Sequence, residues 1–106
     1  METVNVYVYK NSYGEYRVHP AVVVVTGGQK FRVFNATGVA LTVTVPAGAS
    51  KPSDPVEVDI PTEKHKDIKS RSQGSDNTRA YSYRVVVTKS GKKAHGNSDP
   101  ILIIEN

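Results

Sequence analysis

The stretch His19-Pro20-Ala21-Val22-Val23-Val24-Val25-Thr26-Gly27-Gly28-Gln29-Lys30-Phe31-Arg32-Val33-Phe34-Asn35 decides how the chain is read. Ala21 to Val25 is apolar at every position, which suits a strand that is central or covered on both faces. Gly27-Gly28 then breaks the run, because glycine tolerates the dihedrals of a tight turn. Phe31 begins a second strand, and Asn35-Ala36-Thr37-Gly38 closes it with residues that favour turns. The expected core takes Val22 and Val24 from the first strand and Phe31 and Val33 from the second. In the first strand both faces are apolar, so alternation leaves its inward parity open.

Outward from this stretch the dominant period is two. Val4, Val6 and Val8 alternate with Asn5, Tyr7 and Tyr9; Val39, Leu41, Val43 and Val45 alternate with Ala40, Thr42 and Thr44. Tyr81, Tyr83, Val85 and Val87 alternate with Ser82, Arg84, Val86 and Thr88, and Ile101–Ile104 is apolar throughout. β-Branched and aromatic residues suit such pleated, half-buried surfaces. Leu41, Val43, Tyr83, Val85, Ile101 and Ile103 complete the expected core. Turns are expected at Asn11–Gly14 and over 90–98. The segment Thr62–Arg71 has no apolar stripe and reads as a loop plus an edge strand over Lys66–Arg71, whose cations discourage edge pairing. The long links 46–55 and 72–79 predict at least one crossover between sheets. The expectation is an all-β, Greek-key two-sheet sandwich of about eight strands with no substantial helix, a single domain over residues 1–106.

Composition narrows the function. The chain has 106 residues, 38% apolar and 23% charged, so it can bury one core. It has no Cys, which excludes disulfides, thiolate metal sites and Cys nucleophiles. No charged and apolar leader pattern opens the chain, so a signal peptide is expected to be absent or removed, and no run is long enough for a membrane span. Residues 1–61 carry five basic and five acidic groups; residues 62–106 carry nine basic against five acidic, which holds the whole net charge of +4.

The 19–35 stretch resembles the opening of a cupredoxin domain of the plastocyanin/azurin type: a Pro, a Val-rich strand, a Gly turn, an aromatic-bearing strand and an Asn. Tyr81-Ser82-Tyr83-Arg84-Val85, followed by a loop with Gly96 and the strand Ile101–Ile104, is similar to the family's last hairpin. Together the similar parts cover about 19–45 and 80–105. The resemblance implies a type 1 copper site of two His, one Cys and a weak axial Met, but the residues that match those positions carry no donor. Leu41 stands at the first His position, Val85 at the Cys position and Thr88 near the second His; the final loop has no Met and only His95 as a donor. Leu41 and Val85 are therefore vacant copper-ligand positions that should come together in a filled site, and no cofactor is expected. The resemblance also implies a bacterial periplasmic or extracellular setting.

No catalytic residues are expected, and the protein is not read as an enzyme. Ser90-Gly91-Lys92-Lys93 has the letters of a Ser–Lys motif but spans a turn, where the lysines stay solvated. Glu57 and Asp59 share a strand face without a partner. His19, His65 and His95 show no ligand spacing. Asn35-Ala36-Thr37 matches a glycosylation sequon, against the plainer role of a turn-bonding Asn. Lys64, Lys66, Lys69, Arg71, Arg79, Arg84, Lys92 and Lys93, with Lys89, form a basic cluster that is a possible anion-binding surface, and tyrosines could interleave with it. Tyr7 and Tyr9, opposite Val4, Val6 and Val8, are expected to face outward or to cover a sheet edge. Three functions follow: a non-catalytic binding or structural module of unknown ligand, an anion-binding domain for nucleic acid or acidic glycan, and a metal or electron-transfer protein. The first asks least. Its partner is an unknown protein or polyanion, and a monomer is favoured.

Overall fold

The computed structural model describes residues 2–49, 56–71, 73, 78–94 and 99–105. Ten strands follow in order: β1 (Val4–Lys10), β2 (Tyr16–His19), β3 (Val22–Thr26), β4 (Lys30–Ala36), β5 (Leu41–Val45), β6 (Val56–Ile60), β7 (His65–Lys69), β8 (Arg79–Ser82), β9 (Arg84–Val87) and β10 (Ile101–Glu105). There is no helix among the described residues, and hence none long and apolar enough to cross a membrane. Two more strands form than the alternation suggested. Pro20 has no N–H for a ladder and separates β2 from β3. The 79–87 run is split at Tyr83, whose N–H turns to the Pro100 carbonyl at 3.0 Å.

One layer of the sandwich is a four-stranded sheet in the order β2-β1-β4-β7. The other is built from β3-β10-β8 and β6-β5-β9; β8 and β9 are consecutive on either side of Tyr83, so the two run on into each other. β1 pairs with β4, and β3 with β10, in parallel; the remaining pairs are antiparallel. Parallel neighbours need a crossover, and the chain supplies one by changing layer after β2, β3, β4, β6 and β7. The 46–55 link is not among these crossovers. It joins β5 to β6, which are antiparallel neighbours in one sheet; the link after β7 does change layer.

Val6, Val8, Phe31, Val33 and Ile68 point inward from the first layer, and Leu41, Val43, Val45, Ile60, Val85, Leu102 and Ile104 from the second. Tyr83 is 2% exposed and packs on Phe31 with ring centroids 5.8 Å apart. Two strands correct the expected core. Val22 and Val24 are 48% and 46% exposed, while Val23 and Val25 are buried. Ile101 and Ile103 are half-buried, and Leu102 and Ile104 lie in the core. The register pairs Val23 with Leu102 and Val25 with Ile104, so the two strands turn together. With aliphatic groups on both faces, register rather than hydropathy sets which face is inside.

Candidate functional site at the apolar end of the sandwich

β5 places Leu41 at the end of the second layer, fully buried, opposite Ile60 of β6 and Val87 of β9. One step further in, Val43 lies opposite Val58 and Val85. Leu41 and Val85 are thus diagonal neighbours on one inward face rather than a directly opposed pair. They belong to two stacked apolar rows that leave no polar donor where the resemblance puts metal ligands. Thr88, near the second His position, is tied down as well. Its N–H donates to the Ala40 carbonyl at 3.0 Å, and its Oγ1 lies 2.8 Å from Thr42 Oγ1. Thr42 gives its only hydroxyl proton to Asp59 Oδ1 at 2.8 Å, so Thr88 is the donor in the Thr88–Thr42 bond.

Above Leu41 three connections meet: the β4–β5 loop, the turn after β6, and the hairpin after β9. Asn35, 2% exposed, holds the first two together. Its Nδ2 donates to the Val39 carbonyl at 2.7 Å and the Ile60 carbonyl at 2.9 Å, and its Oδ1 accepts from the N–H and Oγ1 of Thr37 at 3.0 and 2.6 Å. Its backbone bonds Glu63 and Lys64, both at 2.9 Å. A buried side-chain amide with both hydrogens engaged is a structural group, so the turn-bonding role of Asn35 holds and the sequon is occluded in the folded protein. Gly38, at φ 86, carries the loop through a conformation that other residues rarely adopt. Between the connections lies an open groove of about 440 Å³, lined chiefly by Val39, Ala40, Pro61, Thr62, Val87 and Lys89.

The basic residues occupy several places. Lys64, Lys66 and Lys69 lie on β7 and its lead-in turn, and Arg71 follows, its N–H bonded to the Ala49 carbonyl at 2.9 Å. Arg79 and Arg84 sit in the opposite layer, on β8 and β9. Lys92 and Lys93 follow the hairpin; Lys92 Nζ lies over the Tyr16 ring at 5.8 Å, and Lys93 Nζ is 3.7 Å from Asp99. On the first layer's outer face Arg32 grips Asp67 with two bonds of 2.6 and 3.1 Å, which holds the Asp67 carboxyl below the usual carboxylate range.

Among the described residues, His19 and His65 do not converge. His19 and His65 end a cross-strand row, His19–Tyr7–Phe34–His65, that spans the whole four-stranded sheet. Tyr7 stacks on Phe34 at 5.2 Å and 12°, and Phe34 meets His65 at 5.1 Å. Tyr7 and Tyr9 are 45% and 39% exposed, facing outward as expected. The row was not apparent in the sequence, because it needs the register of four strands. His95 lies outside the described residues. Among the described residues no three His, Cys, Asp or Glu groups stand close enough to hold a metal. Ser90 lies in the hairpin turn and accepts the Lys92 N–H at 3.3 Å.

Two packed β-layers, an Asn-pinned β4–β5 loop and a strand β10 parallel to β3 define a cupredoxin-like fold, with no metal-binding cluster among the described residues. Solved structures similar to it include amicyanin. A Cu(I) form of one amicyanin variant matches at TM-score 0.58 and 13% identity, over 93% of this chain and 80% of that one. A reduced Cu(I) variant at pH 4 matches at 0.61 and 11%, over 99% and 84%. Fet3p, a multicopper oxidase that functions in iron import, matches at 0.53 and 9%, over 98% of this chain and 27% of its own. No family model matches the chain, and no curated protein matches it.

Proposed function

We propose that residues 1–106 act as one non-catalytic cupredoxin-like module that binds or presents a surface and holds no type 1 copper. The observation that carries this reading is the burial of Leu41 and Val85 in apolar rows at the positions matched to His and Cys, in a chain without a thiolate. A thiolate supplies the softness that selects copper in such sites; aliphatic groups supply none. The cupredoxin resemblance supports a periplasmic or extracellular setting. Calorimetry with Cu(II) at neutral pH, on wild type and on His95→Ala, tests the reading. Weak heat unchanged by the substitution is expected. Tight one-to-one binding that His95→Ala abolishes would sink it.

A second reading, binding of a polyanion such as nucleic acid or acidic glycan, has one specific support. Lys30 and Lys69 stand directly opposite in register on neighbouring strands, an arrangement that like charges disfavour and a bridging anion would relieve. Retention on heparin that falls with salt, and falls further in Lys69→Glu, is the expected outcome. Elution of both proteins in low salt would contradict it.

A further inference from the structure

We propose that the groove above Leu41 binds a small amphipathic anion, an aliphatic body carrying one carboxylate-like head. The proposal rests on the vacant-site reading and names the ligand class that the filled metal end would take. Val39, Ala40, Pro61 and Val87 present aliphatic surface. Their carbonyls are already engaged. The Val39 carbonyl accepts from Asn35, the Ala40 carbonyl from Thr88, the Pro61 carbonyl from Lys64 and the Val87 carbonyl from Gly91. The walls therefore offer a ligand contact area and, apart from the Thr62 hydroxyl, little to accept its hydrogen bonds, which favours hydrocarbon over sugar or peptide.

The head group is set by charge. Lys89 lines the groove from the hairpin after β9, and Lys64 sits on the turn that supplies Pro61 and Thr62. Glu63 is the one acidic residue on those two connections. An anionic head beside Lys89 leaves the chain to run over Val87. The volume of about 440 Å³ lies within the usual range for small-molecule sites. The walls are also preformed, because Asn35 pins both the loop and the turn, so little ordering opposes binding.

The test is a methyl NMR titration with hexanoate, octanoate, decanoate and octan-1-ol, each below its aggregation concentration. The expected result is saturable shifts at Val39 and Val87 with none at the exposed Val22 and Val24. Affinity should rise roughly fourfold per added CH₂ until the groove is full. Octanoate should bind about two- to fivefold tighter than octanol, a margin typical of an exposed ion pair, and Lys89→Gln should erase it. Ala40→Trp, filling the groove from an exposed position, should abolish binding of both. Should that variant fail to fold, the wild-type shift pattern and Lys89→Gln still decide. Absence of shifts at Val39 and Val87, equal shifts at Val22 and Val24, or octanoate affinity unchanged in Lys89→Gln would overturn the proposal. None of these outcomes bears on the copper reading, which the Cu(II) calorimetry tests separately.

Discussion

Tyr83 carries a tension that one substitution can release. Its ring fills the core against Phe31, yet its hydroxyl is buried with no hydrogen-bond partner among the described residues. A buried group left unsatisfied costs about 1–3 kcal/mol, so Tyr83→Phe should leave stability unchanged or raise it by up to about 1 kcal/mol in urea unfolding. A loss of more than about 1 kcal/mol, well above the scatter of neutral changes, would mean that the hydroxyl is bonded after all. Burial also pushes the Tyr83 phenol up. The unfolded chain therefore releases this proton first, and the associated stability is complete below about pH 10 and declines as pH rises beyond it. Tyr83→Phe should flatten that alkaline decline. Val43 lies fully buried between Val58 and Val85; Val43→Ala should cost roughly 1–3 kcal/mol, in line with other large-to-small core changes.

At the scale of the element, the test falls on β3. Its two faces are both valine, and the structure turns Val23 in and Val24 out. Val23→Ala should cost roughly 1–3 kcal/mol and Val24→Ala under about half, as at surface sites; the reverse order in thermal or urea unfolding would show the strand flipped. The same strand marks where sequence reading stops. β1 was legible because Val6 and Val8 alternate with Tyr7 and Tyr9, so the two faces differ chemically. β5 and β9 were legible for the same reason, with Thr42 and Arg84 on the outer side. β3 and β10 offer no such contrast, and only the Val23–Leu102 register resolves them. Strand β7 lies close to its expected place, since Lys66 and Lys69 flank a single inward Ile68. The apolar groove was not legible at all. It is assembled from residues 38–40, 61–62 and 87–89, which no local pattern joins. The burial of Leu41 and Val85 was legible, because both stand within strands whose alternation is clear.

Across the whole molecule, two layers are held face to face by an almost entirely aliphatic core, and charge acts at the rim. The Arg32–Asp67 pair clamps β4 to the edge strand β7. The Asp67 carboxyl is held below its usual range by the Arg32 guanidinium. Its contribution is therefore present above the unfolded value of about 4 and lost as pH falls through the lower folded value. The melting temperature of wild type should exceed that of Asp67→Asn by a small margin at pH 6, and the two should converge in acid. A margin that persists below pH 2 would assign the effect to packing instead. At this scale the frame is cupredoxin-like, and the end that holds Leu41 and Val87 is lined by aliphatic side chains. The most direct measurement is a methyl NMR spectrum of the protein with one equivalent of Cu(II), whose paramagnetism broadens any signal near a bound ion. The account predicts that Leu41, Val85 and Val87 methyls stay sharp at one equivalent. Selective broadening of those three signals at that ratio would contradict it.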